Sequence, residues 1–280
     1  MAWLNTSSAT LLASALLFSS CSSLLYHPTR VEHVDRSKLE VKPEDFTFKS
    51  EDGTDLHAWN FHSSLPKPAN CAILQFHGNG QNMTAHFYFL YWMLKYGYDF
   101  MTFDYHGYGT SGGDPTPQKV VEDGHAALRK MRELYPKKKI VVLGQSLGGA
   151  IALRSVIDMK DEIKVASVVI DSSFASYRSA ARSIAAHSWI TWLFQPIAWL
   201  LMNDEYAPKD RLNELAPIPL LVAHGDRDPI IDLGLGQDLY DRMPEPKEFW
   251  LIPGGGHTAL MANSVYAQKL IEKLDKLCRQ

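Results

Sequence analysis

Charge of one sign is scarce in this sequence. Its 280 residues hold 28 Lys and Arg against 31 Asp and Glu, a formal net charge of −3, and the longest basic cluster is Lys137-Lys138-Lys139. A nucleic-acid partner needs a basic face, so none is expected, and the short cluster reads as a solvated loop ahead of an apolar run. Cysteine is scarce too: there are three, which excludes a small disulfide scaffold. No H-E-x-x-H, no G-x-x-x-x-G-K-[ST] and no Cys/His pattern with metal spacing occurs, so no metal and no cofactor is expected. What the chain does have is a hydrophobic content of 46%, which excludes disorder, and a length that suits two domains or one large α/β domain.

Residues 1–20 carry no charged side chain, and residues 9–18 form a short apolar core. That core is too short to span a bilayer of ~30 Å, which takes roughly 20 residues, and it has the length of a signal-peptide core. Ser19-Ser20 precede Cys21. The segment resembles a bacterial lipoprotein signal, which implies removal of residues 1–20, lipidation of Cys21 and a membrane anchor. Two features depart from that pattern: the first residues contain no Lys or Arg, and Phe18 stands three before the cysteine. A plain secretory signal or an uncleaved anchor is the alternative. Ser22 in place of Asp implies, by the same resemblance, outer-membrane sorting in the envelope of a Gram-negative bacterium. Residues 21–43 read as a tether, and 44–280 as the folded domain. Cys71 opens an apolar run, Cys278 lies near the end of the chain, and both are read as free thiols.

From Phe46 the pattern becomes regular. Phe46 and Phe48 alternate with polar residues, Glu51-Asp52-Gly53-Thr54 supplies a turn, and Leu56–Phe61 runs extended, which predicts an antiparallel hairpin. Apolar runs then alternate with amphipathic stretches. Strands are predicted at Cys71–Phe76, Phe100–Phe103, Ile140–Leu143, Val165–Ile170, Pro219–Ala223 and Glu248–Ile252. Helices are predicted at Met83–Tyr96, Gln118–Leu134 and Leu147–Ile157, near 233–241 and near 258–277. Continuous apolar strands alternating with helices imply a mostly parallel sheet covered on both faces. Residues 174–212 break the rhythm and read as a helical lid insertion. Trp189, Trp192, Phe194 and Trp199 cluster there. One reading has Trp189, Leu193, Ile197 and Leu200 packing a cap helix on the sheet; the other has them lining an acyl pocket or touching a membrane.

Strand Ile140–Leu143 is followed at once by Gly144-Gln145-Ser146-Leu147-Gly148, a G-x-S-x-G between a strand and a helix. A serine in so sharp a turn projects its Oγ above the sheet, and the following helix aims its positive end at any oxyanion formed there. A serine nucleophile needs a base, and His257 follows Pro253-Gly254-Gly255-Gly256 just after the last strand. The imidazole needs an acid to orient it. Asp226 and Asp228, in His224-Gly225-Asp226-Arg227-Asp228, are both in reach, and Asp171 at the end of an earlier strand is a third candidate. An oxyanion hole needs two backbone N–H donors: Leu147, directly after the serine, and Asn79 in His77-Gly78-Asn79-Gly80. Gly107-Tyr108-Gly109-Thr110-Ser111-Gly112 matches a dinucleotide fingerprint, but no helix opens directly on it. His57, His62, His86 and His125 are read as surface or half-buried side chains.

Together these pieces resemble an α/β-hydrolase from about residue 44 to 277, in the branch that holds lipid and thioester hydrolases and serine aminopeptidase-like proteins. The matching stretches are 77–80, 104–112, 144–148, 224–228 and 256–257, with His106 where the family usually has Arg. The resemblance favours Asp228 as the acid and implies a Ser146–Asp228–His257 triad. The expected activity is that of a carboxylesterase or lipase: hydrolysis, through an acyl-enzyme, of carboxylic ester or thioester bonds of apolar acyl substrates, a small acyl ester or a lipid. A serine aminopeptidase-like peptidase, with Asp204 or Glu205 reading the amino terminus, and a non-catalytic surface-binding lipoprotein are the alternatives.

Overall fold

The computed structural model describes residues 26–186 and 195–279. Cys21, the signal-like segment, Trp189, Trp192, Leu193 and Phe194 lie outside the described residues. Eight strands form one sheet: β1 Glu44–Lys49, β2 Asp55–Phe61, β3 Cys71–Phe76, β4 Asp99–Phe103, β5 Lys139–Gln145, β6 Val165–Asp171, β7 Leu220–Gly225 and β8 Lys247–Ile252. Their order across the sheet is β8-β7-β6-β5-β3-β4-β2-β1. The hairpin β1–β2 is antiparallel, with Phe48 opposite Leu56, and β2 also runs antiparallel to β4. The other pairings are parallel. Every residue of β3 is buried, as a strand covered on both faces requires.

Helices α1 Pro117–Leu134, α2 Leu147–Met159, α5 Leu233–Arg242 and α6 Ser264–Cys278 cover the two faces, while α3 Tyr177–Ala186 and α4 Gln195–Leu201 pack against each other. Proline at the first turn and the Thr116 cap start α1, and Asn263 caps α6. One apolar layer gathers Val120 and Leu128 of α1 with Ile151 and Leu153 of α2. The opposite layer gathers Leu270 and Leu274 of α6 with Phe87 and Leu90. No helix among the described residues is long and apolar enough to cross a membrane.

Three expectations change. The predicted helix Met83–Tyr96 is broken into Met83–His86, Tyr88–Tyr91 and a 3-10 turn at Trp92–Tyr96. Aromatic residues are poor helix formers, and here they follow the sheet instead: Phe87 stacks on Phe61 at 5.4 Å and meets Trp59 edge-on at 5.5 Å.

Cys71 and Cys278 are not free thiols. They form a disulfide, with Cα atoms 5.3 Å apart, between the start of β3 and the last turn of α6. Asn70 N–H donates to the Cys278 carbonyl at 3.1 Å, so the helix end already lies against the strand.

Residues 26–43, expected to be part of a tether, are packed on the domain. Tyr26 and Leu39 are buried. His27–Pro28 pair in parallel with Gly80–Gln81, and Val41 N–H donates to the Tyr91 hydroxyl at 2.7 Å. Within the insertion, Leu200 is 70% exposed and Trp199 44% exposed, so neither is packed into the sheet.

Candidate active site

Ser146 joins β5 to α2 with φ 53° and ψ −126°, outside the regions an L-residue prefers. The crossing is tight. A Cβ at Gly148 would lie 2.2 Å from the His77 carbonyl oxygen, and one at Gly144 2.6 Å from the Gly149 Cα. Only glycine lets strand and helix approach this closely on either side of the serine. Ser146 N–H donates to the Asp171 carbonyl at 3.0 Å, which fixes the turn to the neighbouring strand.

The loop after β8 carries His257. Its Nδ1 lies 2.8 Å from Asp228 Oδ2 and 3.1 Å from Oδ1. Asp228 Oδ1 also accepts from the N–H groups of Ile230 and Ile231, at 2.9 and 3.0 Å. Burial pushes this carboxyl up, but the His257 bond and the two backbone donors outweigh it, and it sits below the usual carboxylate range. An ionised Asp228 requires the proton on Nδ1, which leaves Nε2 as the free lone pair.

The other acid candidates are used elsewhere. Asp226 accepts from Gly254 N–H at 2.6 Å and so holds the loop that carries His257. Asp171 accepts from Leu260 N–H at 3.2 Å. It is fully buried, which pushes its carboxyl up to about 8. Thr258 N–H donates to Ser172 Oγ at 3.0 Å, so Asp171 and Ser172 pin the segment just past the histidine.

Ser146 and His257 line one cavity of ≈ 360 Å³, together with Gly78, Asn79, His86 and Leu147 and the apolar side chains Phe89, Phe174, Ala180, Ile184, Ile230 and Ile231. No hydrogen bond joins Ser146 Oγ to the His257 ring among the described residues. Catalytic hydrogen bonds are often open in an unliganded site and close when the reacting complex forms. Leu147 opens α2, so its N–H has no partner within the helix. Asn79 also lines the cavity, on the loop that runs beside the serine turn. Its Oδ1 accepts from His27 N–H at 3.0 Å, and its backbone carbonyl accepts from the Tyr108 hydroxyl at 2.7 Å.

Two histidines differ from their sequence reading or extend it. His86 lines the cavity, and its Nε2 lies 2.9 Å from the Gly80 carbonyl. Burial, then the neighbouring His77, hold its imidazole down at about 4, so it is neutral. Its place four residues past Asn82 on an apolar turn gave no sequence signal. His106 does not line the cavity. It is bonded to Asp123 at 2.7 Å and to Asp52 at 3.2 Å; burial opposes its charge, and the two carboxylates raise its pKa. The glycines of 107–112 form a turn before α1, with no helix opening on them.

A model of the family described as "Serine aminopeptidase, S33" matches residues 67–211. The Escherichia coli protein YfhR is 31% identical over 237 residues, covering 82% of this chain and 79% of YfhR. The alpha/beta hydrolase domain-containing protein aho-3 of Caenorhabditis elegans is 28% identical over 214 residues, 75% of this chain and 59% of that one. Among solved structures, the Pyrococcus furiosus esterase Pf2001 superposes with a TM-score of 0.70 at 22% identity, covering 90% of this chain and 97% of the esterase.

Proposed function

Since this chain belongs to the serine aminopeptidase S33 family of α/β-hydrolases, we propose that it is a serine hydrolase that cleaves carboxylic esters or thioesters of apolar acyl groups. The observation that carries the reading is the Asp228–His257 bond, placed in the same cavity as a serine held in a strained strand-to-helix turn. Ser146 Oγ attacks the acyl carbonyl while His257 Nε2 takes its proton. The N–H groups of Leu147 and Asn79 receive the oxyanion. The imidazolium then protonates the leaving alcohol or thiol. Water, deprotonated by His257, attacks the acyl-enzyme and releases the acid, and Ser146 recovers its proton. No cofactor enters these steps.

The cavity favours an acyl group over a peptide amino terminus. Its lining among the described residues holds no Asp, Glu, Lys or Arg. Asp204 is occupied by Ser176, the Arg178 N–H and Lys209. Glu205 accepts from Asn203. A non-catalytic binding role is the remaining alternative.

The same proposal makes Cys21 the lipidated first residue of the mature chain and puts the protein on the outer membrane of a bacterial envelope. The Cys71–Cys278 bridge supports this, since such bonds persist in oxidising compartments. A p-nitrophenyl ester series from acetate to palmitate, run with Ser146→Ala, tests the activity. Full hydrolysis by the variant would sink it, and faster cleavage of aminoacyl amides would shift the reading to a peptidase. Palmitate labelling that survives Cys21→Ala would remove the anchor.

A further inference from the structure

The oxyanion loop does not stand alone. Residues 26–31 run beside it as a strap. His27 is in register with Gly80 and Pro28 with Gln81, and Thr29 N–H donates to the Gln81 carbonyl at 3.1 Å. Gln81 has φ 64°, a left-handed conformation that a non-glycine residue keeps only when its surroundings dictate it. Asn82 Nδ2 grips the strap by the carbonyls of Thr29 and Val31, at 3.0 and 2.8 Å. From the other side, Gly109 N–H donates to the Thr29 carbonyl at 2.9 Å.

We propose that this strap and the Tyr108 hydroxyl are positioning parts of the active site, which aim the Asn79 N–H at the oxyanion. The proposal rests on the reading of Asn79 as a donor. Both oxygens of Asn79 are taken: the side-chain Oδ1 by the His27 N–H at 3.0 Å, the backbone carbonyl by the Tyr108 hydroxyl at 2.7 Å. The Asn79 N–H shares its peptide plane with the Gly78 carbonyl, which lies 2.7 Å from His77 Nδ1, and the next plane is fixed through the Asn79 carbonyl; with the side chain also tied, the residue cannot turn. Tyr108 is fully buried, so its hydroxyl has no water to take instead. Position matters here more than binding. A backbone donor meets the substrate oxygen fully only as charge develops on it, so misplacing the donor slows the chemical step and leaves ground-state binding nearly unchanged.

The strap's contribution at His27 comes from a backbone N–H, which allows a clean contrast in the full chain. His27→Ala keeps that donor and His27→Pro removes it, at a residue whose side chain is exposed. The measurement is kcat and KM for a short p-nitrophenyl ester. His27→Ala is expected to keep its kcat, while His27→Pro and Tyr108→Phe lower kcat about tenfold with KM little changed. Equal kcat in the Ala and Pro variants, or a loss carried by KM, overturns the proposal and leaves the esterase reading standing. Hydrolysis retained in Ser146→Ala overturns both.

Discussion

His257 Nδ1 lies 2.8 Å from Asp228 Oδ2, and the backbone N–H groups of Ile230 and Ile231 hold the other carboxylate oxygen in place. The carboxylate is therefore fixed before the imidazole reaches it. Asp228→Asn keeps the shape but removes the charge, and it lets the ring hold its proton on the wrong nitrogen. A fall in kcat of about 10⁴-fold is expected. Asp226→Asn, which touches only the loop at Gly254, is expected to cost far less. Steady-state kinetics on one ester separates the two, and an equal loss at both positions would reject the assignment.

Ser146 occupies backbone space that suits glycine better. Ser146→Gly is expected to abolish hydrolysis and to raise stability by about 1 kcal/mol, because strain held for function is released. Urea denaturation of the two proteins checks this. A destabilised variant would mean that the turn is held at no cost.

Asp171 gives a pH signature. Its carboxyl is pushed up to about 8 by burial, and next by the charge of Asp228. The folded state holds this proton across a range, from about 4 to about 8, where the unfolded chain has released it. Stability from this group is thus complete at low pH and declines as pH rises through that window. Asp171→Asn, neutral at every pH and still an acceptor for Leu260 N–H, is expected to lose this part of the decline. Melting temperatures at pH 5 and pH 8 would show the wild type falling relative to the variant. Parallel profiles would contradict the assignment.

Ala180 and Ile184, one turn apart on α3, both line the cavity. Ala180→Phe is expected to fill part of the acyl space. Acetate ester hydrolysis should survive, while long-chain esters lose on the order of tenfold in kcat/KM. A uniform loss across the series would place the acyl chain elsewhere.

Much of this was legible in the sequence because local physics dictates it. Apolar runs at 71–76, 140–143 and 165–170 could only be strands buried on both faces, and glycines flanking Ser146 could only mark a close crossing. What was not legible depends on distant partners. Residues 26–43 read as irregular because several of their backbone groups pair with Asn82, Gln81 and Tyr91, which are distant in sequence. No local pattern announces that. His86 looked like any histidine on an aromatic turn until Gly78 and Ser146 folded next to it. Cys71 and Cys278 gave no hint of pairing, since their approach depends on how strands β3 to β8, which lie between them in sequence, assemble.

That last pairing has a consequence for how the protein fails. The bridge spans 207 residues of sequence, from the opening of β3 to the close of α6. The stretch holding Ser146, Asp228 and His257 is thereby a covalent ring. A single proteolytic nick anywhere within it leaves one molecule, with both new ends still joined through the bridge, and the last turn of α6 stays tethered to β3.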